Sequence, residues 1–317
     1  MRRLFGGPAL AMVLVACSSS PSTGDPPTST AATTPLQVAI VNYELIAEMQ
    51  NRFVVGLVLP DNRLVAYGSV QMRFTSLDEN GQPAGGTSDV VRGTYLPLPG
   101  TEPGDANAAP QAIAPATVRG VYELEGARFL EAGAWAVEVA ARIEGVGVAQ
   151  GSATFEVLQE PGTPGIGERA PRSDNPVIGD PVPAGELDSR ARDGGAIPDE
   201  ALHRVSIAEA IERVRPAVVV FSTPVYCVSR FCGPVTDMVA ELQQRFSDRA
   251  EFIHIEIWKD FEANVITETA TEWLYRDGTL QEPWLFIIDE RGRIAARWDN
   301  IFTAPEVEDG LTEVLGS

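Results

Sequence analysis

Residues 160–200 hold seven prolines and seven glycines among 41 positions, with scattered charges and almost no apolar periodicity. No other feature constrains the fold as firmly. Proline fixes φ and removes a backbone donor, and glycine carries a high entropic cost in regular structure, so neither a long helix nor a central strand runs through this stretch. A 317-residue chain broken in this way builds two cores rather than one. The break predicts an extended linker over 159–200, with one domain at 36–158 and a second at 201–317.

The two flanks carry different periods. In 36–158, short β-branched or alternating runs recur at Val38–Leu45, Phe53–Leu59, Ser69–Phe74, Gly120–Leu124, Ala134–Ala141 and Ala149–Val157. Turn formers such as Asp78-Glu79-Asn80-Gly81 and Glu144-Gly145 separate them. The spacing predicts an antiparallel sandwich. In 201–317, helical and strand patterns alternate. Ser206 and Glu209 form an S-x-x-E capping box that opens a helix ended by Pro216. Ala217–Phe221 is a continuous apolar run, as in a buried central strand. The loop TPVYCVSRFCGP follows, then an amphipathic helix with Val235, Met238, Val239, Leu242 and Phe246 on one face. Strands are expected at Glu251–Trp258, Trp284–Ile288 and Ile294–Trp298, and a last helix from Pro305.

Particular residues carry resemblances. FCGPV, at residues 231–235, resembles the thioredoxin signature WCGPC, with Phe231 for Trp and Val235 for the second Cys. Glu282-Pro283 falls where that family places its cis-proline, and the segment GIGERAP resembles the lead-in to redoxin domains. The resemblance covers about 115 residues and implies a thioredoxin-like α/β domain, with Pro283 lining its site. The stretch around Phe129, Gly133, Trp135, Phe155 and Val157 resembles the closing strands of YtkA-like and other immunoglobulin-like extracytoplasmic domains. Together these imply a multidomain protein, an immunoglobulin-like all-β sandwich followed by an α/β thioredoxin-like domain. Some relatives of such sandwiches bind copper. This one has no His or Cys and only Met49 and Met72 for sulfur, so it reads as a binding or spacer module.

The N-terminus supplies an address. Arg2 and Arg3 precede an apolar run from Leu4 to Ala16, too short for a membrane span but suited to a signal peptide over 1–16. Leu14-Val15-Ala16-Cys17 resembles the lipobox of bacterial lipoproteins, which implies cleavage before Cys17 and lipid on its sulfur. A Ser/Thr/Pro-rich tether over 17–35 follows. The expected location is the extracytoplasmic face of a cell membrane. Cleavage deletes two arginines and no acids, so the net charge goes from −20 to −22. Such acidity argues against nucleic acid and anionic lipid as partners. The expected partners are extracytoplasmic protein thiols or disulfides.

With Cys17 lipidated, Cys227 and Cys232 remain, spaced C-x4-C in a compartment where disulfides persist, and a bond between them is expected. Cys232 stands at the start of the predicted helix, where unpaired amides and the helix dipole favour a thiolate, the attacking species in disulfide exchange. Cys227 then resolves the mixed disulfide. An alignment with one residue inserted relative to thioredoxin reverses the two roles. His254, on its strand beside Phe252 and Glu256, is a candidate proton relay, although a core histidine suits the same position. His203, at the linker edge, reads as solvated. No counterpart of the buried acid of thioredoxins stands out, and no cofactor or metal is expected.

Two alternatives stay open. A structural disulfide closing about six residues would stabilise the fold by roughly 2 kcal/mol, leaving a binding scaffold without catalysis. Sco-type copper-assembly proteins also carry two cysteines in this loop and a distant histidine. Theirs are spaced by three residues, each followed by proline, whereas Val228 and Gly233 stand here.

Overall fold

A computed structural model of the chain describes residues 33–101, 105, 108–115, 120–227, 231–276 and 278–316. Cys17 and the segment 1–32 lie outside the described residues. Alternation in the N-terminal half becomes strand structure because every second side chain has a core to enter. In Gly133–Ile143, Trp135, Val137, Val139, Ala141 and Ile143 are buried while their neighbours are more exposed. The long strands Gln50–Val58, Ser69–Leu77, Gly120–Arg128, Gly133–Ile143 and Gly147–Val157 enclose an aromatic centre. There the Phe53 ring lies 4.8 Å from Phe74 and 5.0 Å from Phe155. Among the described residues, the strands join in one continuous hydrogen-bonded sheet that is largely antiparallel. This is a β-rich domain compatible with a sandwich. Among the described residues of this domain, five strands were not legible in the pattern: Thr34–Pro35, Leu64–Ala66 and Gln111–Ile113 are too short to show a period, Pro83–Thr87 is exposed throughout, and glycine interrupts the alternation of Val91–Pro97.

The C-terminal half is α/β. The predicted capping box closes in both directions: the Glu209 amide donates to Ser206 Oγ at 3.1 Å, and the Ser206 amide to Glu209 Oε2 at 3.2 Å. A four-stranded sheet has the completely buried central strand Ala217–Ser222 inside it. That strand runs parallel to Glu251–Glu256 on one side and antiparallel to Trp284–Ile288 on the other, with Ile294–Asp299 at the far edge. One face packs Phe221, Trp273 and Phe286 together. The other carries the helices Cys232–Phe246 and Ala304–Gly316 through Val235, Leu242, Val307 and Leu311.

The Pro/Gly-rich stretch differs from the extended linker expected of it. The Gly167 amide donates to the Ile294 carbonyl at 2.8 Å and the Ile294 amide to the Glu168 carbonyl at 2.9 Å, which extends the sheet edge. Ser173 Oγ accepts from Trp273 Nε1 at 2.9 Å, and Asn175 Oδ1 accepts from the Ile207 amide at 2.8 Å. Leu187, Asp188, Ser189 and Ala191 are buried. The absence of apolar periodicity misleads here because the segment is held through backbone and short polar side chains, which periodicity does not register.

Candidate functional site

Two polar clusters lie in the α/β domain. The first forms where the central strand ends and the Cys232–Phe246 helix begins. The Cys227 amide donates to the Thr223 carbonyl at 3.1 Å, turning the loop back on itself. Cys232 is the first residue of the helix and is fully buried, whereas Cys227 is half-buried. The two sulfurs and a carboxylate oxygen of Glu282 all lie within 4.8 Å of one another. The Glu282–Pro283 peptide is cis, and Pro283 is buried.

The expected disulfide is not formed. The pair meets as thiols, and burial, reinforced by the hydrogen bond with Cys227, pushes the Cys232 thiol far above the ordinary range. The Glu282 carboxyl is pushed up to about 7 by burial, then by Cys227 and Glu256. Glu256, at the end of its strand, is likewise raised to about 7 by burial, although its Oε2 accepts from the Ser189 amide at 2.8 Å.

The β-rich domain reaches this cluster. Tyr43 Oη donates to the Glu282 carbonyl at 2.6 Å, with its ring 6.0 Å from that of Trp284. Asp299 accepts from the Tyr43 amide, and the Glu44 amide reaches the same oxygen at 3.3 Å. Glu44 pairs with Arg297 at 2.9 Å, and Asn300 Nδ2 donates to the Val41 carbonyl at 2.8 Å. Ile301 packs with Val54, Leu98 and Val121, with Phe231 against them. The domains thus meet through an apolar patch and buried polar contacts beside the cysteine loop.

The second cluster lies where Glu251–Glu256 faces the 160–203 region. His254 Nε2 is 3.0 Å from the Ser222 carbonyl, and its Nδ1 is 3.7 Å from Asp188 Oδ2. His203 Nε2 lies 3.6 Å from that oxygen, and the two rings meet edge-on at 5.2 Å. All three side chains are 1% exposed or less. Arg190 grips Asp188 with a fork, Nε to Oδ1 at 3.0 Å and Nη2 to Oδ2 at 2.7 Å. Burial raises the Asp188 carboxyl, but its contacts with His203 and Arg190 outweigh that and hold it below the usual carboxylate range. Burial, then the neighbouring His203, lowers His254 to about 3.

Of the residues singled out in the sequence, Cys227, Cys232 and Pro283 come together, and His254 does not join them. It belongs to the second cluster, where its ring is sealed from solvent rather than poised as a relay to the thiols. His203, read as solvated, is 2% exposed. Glu282, Tyr43, Glu256 and Asp188 were not anticipated. Glu282 was visible as the neighbour of Pro283, and Glu256 lies on the strand face noted for His254. Nothing local marks Tyr43, whose partners are distant in sequence, and beyond the nearby Arg190 nothing local marks Asp188, since both histidines that meet it come from other segments.

No protein-family model and no curated protein matches this chain. Among solved structures, the bacterial hydrophobin BslA aligns with 41% of this chain and 97% of its own length, at 14% identity and a TM-score of 0.22, a likeness too distant to bear on function.

Proposed function

We propose that this is a lipid-anchored extracytoplasmic protein whose thioredoxin-like domain exchanges thiols and disulfides with protein partners through Cys227 and Cys232. The observation that carries the reading is the convergence of both sulfurs with the Glu282 carboxylate beside Pro283. The strand pairing, parallel on one side of the central strand and antiparallel on the other, agrees with the thioredoxin-like resemblance, as does the cis peptide before Pro283. Anchoring rests on the lipobox resemblance at Cys17, and the immunoglobulin-like reading of the β-rich domain on its alternation and aromatic core.

Burial favours the reverse of the roles read from the helix position. An attacking sulfur must be reached, and Cys227 is the accessible one. Cys227 thiolate attacks one sulfur of the partner's disulfide; a Cys227–partner bond forms as the partner's S–S bond breaks, and the expelled thiolate takes up a proton. Glu282 then accepts the Cys232 proton, and the Cys232 thiolate attacks Cys227. The partner's second sulfur leaves as a thiolate. The partner ends reduced by two electrons and the Cys227–Cys232 pair oxidised by two. A carboxyl raised toward neutrality suits this transfer, since it can hold or release the proton near working pH. Burial of Cys232 and occupation of the Glu282 carbonyl by Tyr43 favour, as a second reading, a non-catalytic binding scaffold.

The test is a redox titration with thiol trapping, on the wild type and on Cys227→Ser and Cys232→Ser. Exchange predicts a potential between about −120 and −270 mV, with one thiol trapped fast at neutral pH. A potential below about −300 mV marks a structural bond and the scaffold reading. Copper(I) retained by the reduced wild type and lost in both variants would replace exchange with copper handling.

A further inference from the structure

We propose that Asp188, His203 and His254 hold a divalent transition-metal ion of the zinc class, through Asp188 Oδ2, His203 Nε2 and His254 Nδ1. The chain has two histidines, and folding brings both onto one carboxylate oxygen.

The unpartnered ring nitrogens carry the case. A carbonyl oxygen only accepts, so His254 Nε2, 3.0 Å from the Ser222 carbonyl, bears the hydrogen. Nδ1, the other ring nitrogen, then faces a carboxylate oxygen 3.7 Å away. In this buried interior both His254 Nδ1 and His203 Nε2 lack a hydrogen-bond partner. The separations of 3.6 and 3.7 Å exceed those of N–H···O hydrogen bonds. They approach the roughly 3.4 Å between two ligands of a tetrahedral ion with bonds of about 2.1 Å. A hydrogen bond from the second ring nitrogen to a backbone carbonyl is also the usual support of a metal-bound imidazole.

Arg190 orients the carboxylate. Its Nη2 reaches Oδ2 at 2.7 Å and its Nε divides between Oδ1 at 3.0 Å and Oδ2 at 3.2 Å, while the Arg190 amide donates to Oδ1 at 2.9 Å, which fixes the carboxylate between the guanidinium and the two rings. Arg190 also meets Asp199 at 3.0 Å and Asp237 at 3.1 Å. The donor set, two imidazoles and a carboxylate without sulfur, suits zinc rather than a soft metal.

The ion would fasten the 188–203 segment to the sheet. It would also steady Ser189, whose amide donates to Glu256 and whose Oγ accepts from the Val225 amide at 3.2 Å in the cysteine loop. The site shares no residue with the cysteine cluster, so it stands or falls apart from exchange.

The test is titration of the chelator-stripped full chain with cobalt(II), then zinc(II). The expected result is one cobalt ion per chain with visible d–d bands and no sulfur-to-cobalt charge transfer, displaced by zinc. His203→Ala and His254→Ala should lose the bands, and Cys227→Ser/Cys232→Ser should keep them. Because a histidine variant can misfold, the stripped wild type is also melted with and without zinc, and Tm should rise with the ion. No uptake by the wild type would overturn the proposal in favour of a proton or water between the rings. Uptake abolished by the cysteine variant alone would overturn it in favour of the sulfur cluster.

Discussion

The cysteine cluster and the histidine cluster hang from one sheet, yet they are closed in different ways. The first has two sulfurs and a carboxyl, one sulfur half-buried, and its neighbour is another domain: Tyr43 sits on the Glu282 carbonyl. The second has two imidazoles and a carboxylate, all buried, sealed by a segment of its own half of the chain. A group that reacts with another protein needs a path to that protein and a proton acceptor near neutrality. A group that holds an ion needs fixed lone pairs and exclusion of competing ligands. The first cluster meets the former demands and the second the latter, although both consist of titratable side chains packed beside the same sheet.

The largest effect should separate the clusters outright. Cys227→Ser should reduce turnover of an aromatic disulfide to background while leaving cobalt uptake intact, and His254→Ala should do the reverse; loss of both functions in either variant would collapse the distinction. Removing the carboxylate from the sealed cluster is next. Asp188→Ala leaves Arg190 without its buried partner and should cost about 3–5 kcal/mol in urea unfolding. An unchanged midpoint would mean that the cluster does not hold the 188–203 segment.

Glu282→Gln tests the proton acceptor. Wild-type exchange should rise with pH through about 7 as Glu282 becomes a carboxylate, and fall below it as the group is protonated. The variant should be slower by about 10²-fold, with that step missing from its pH–rate profile. A profile unchanged in shape would assign the proton to another group. The smallest effect is expected of Tyr43→Phe. Loss of one hydrogen bond should cost about 1 kcal/mol, and Cys227 should be alkylated faster as the domain contact loosens. An unaltered alkylation rate would show that Tyr43 does not guard the loop.

Much of the architecture was legible because it is local. Alternation over a few residues marks Gly133–Ile143 as a half-buried strand, an unbroken apolar run marks Ala217–Ser222 as a central one, and Ser206 with Glu209 marks a helix start. Cys227, Cys232 and Pro283 stood out because sulfur is scarce in this chain and proline constrains the backbone beside it. The rest was hidden because its contacts are long-range. The Tyr43 hydroxyl meets a carbonyl 239 positions away, and the Ser189 amide meets Glu256 across 67. Asp188 lies in a stretch without apolar periodicity, which reads as solvated until the chain folds over it.

The sequence by itself determined that an all-β half precedes an α/β half, where the helices start, and that two cysteines share one loop. These follow from side-chain periodicity, backbone preference and spacing, properties of neighbouring residues. Only the tertiary structure decided which sulfur is accessible, which carboxyl stands beside the thiols, that the two domains meet at that loop, and that two histidines converge on Asp188. Those outcomes depend on burial and on distances between remote segments, which exist only once the chain has closed around them.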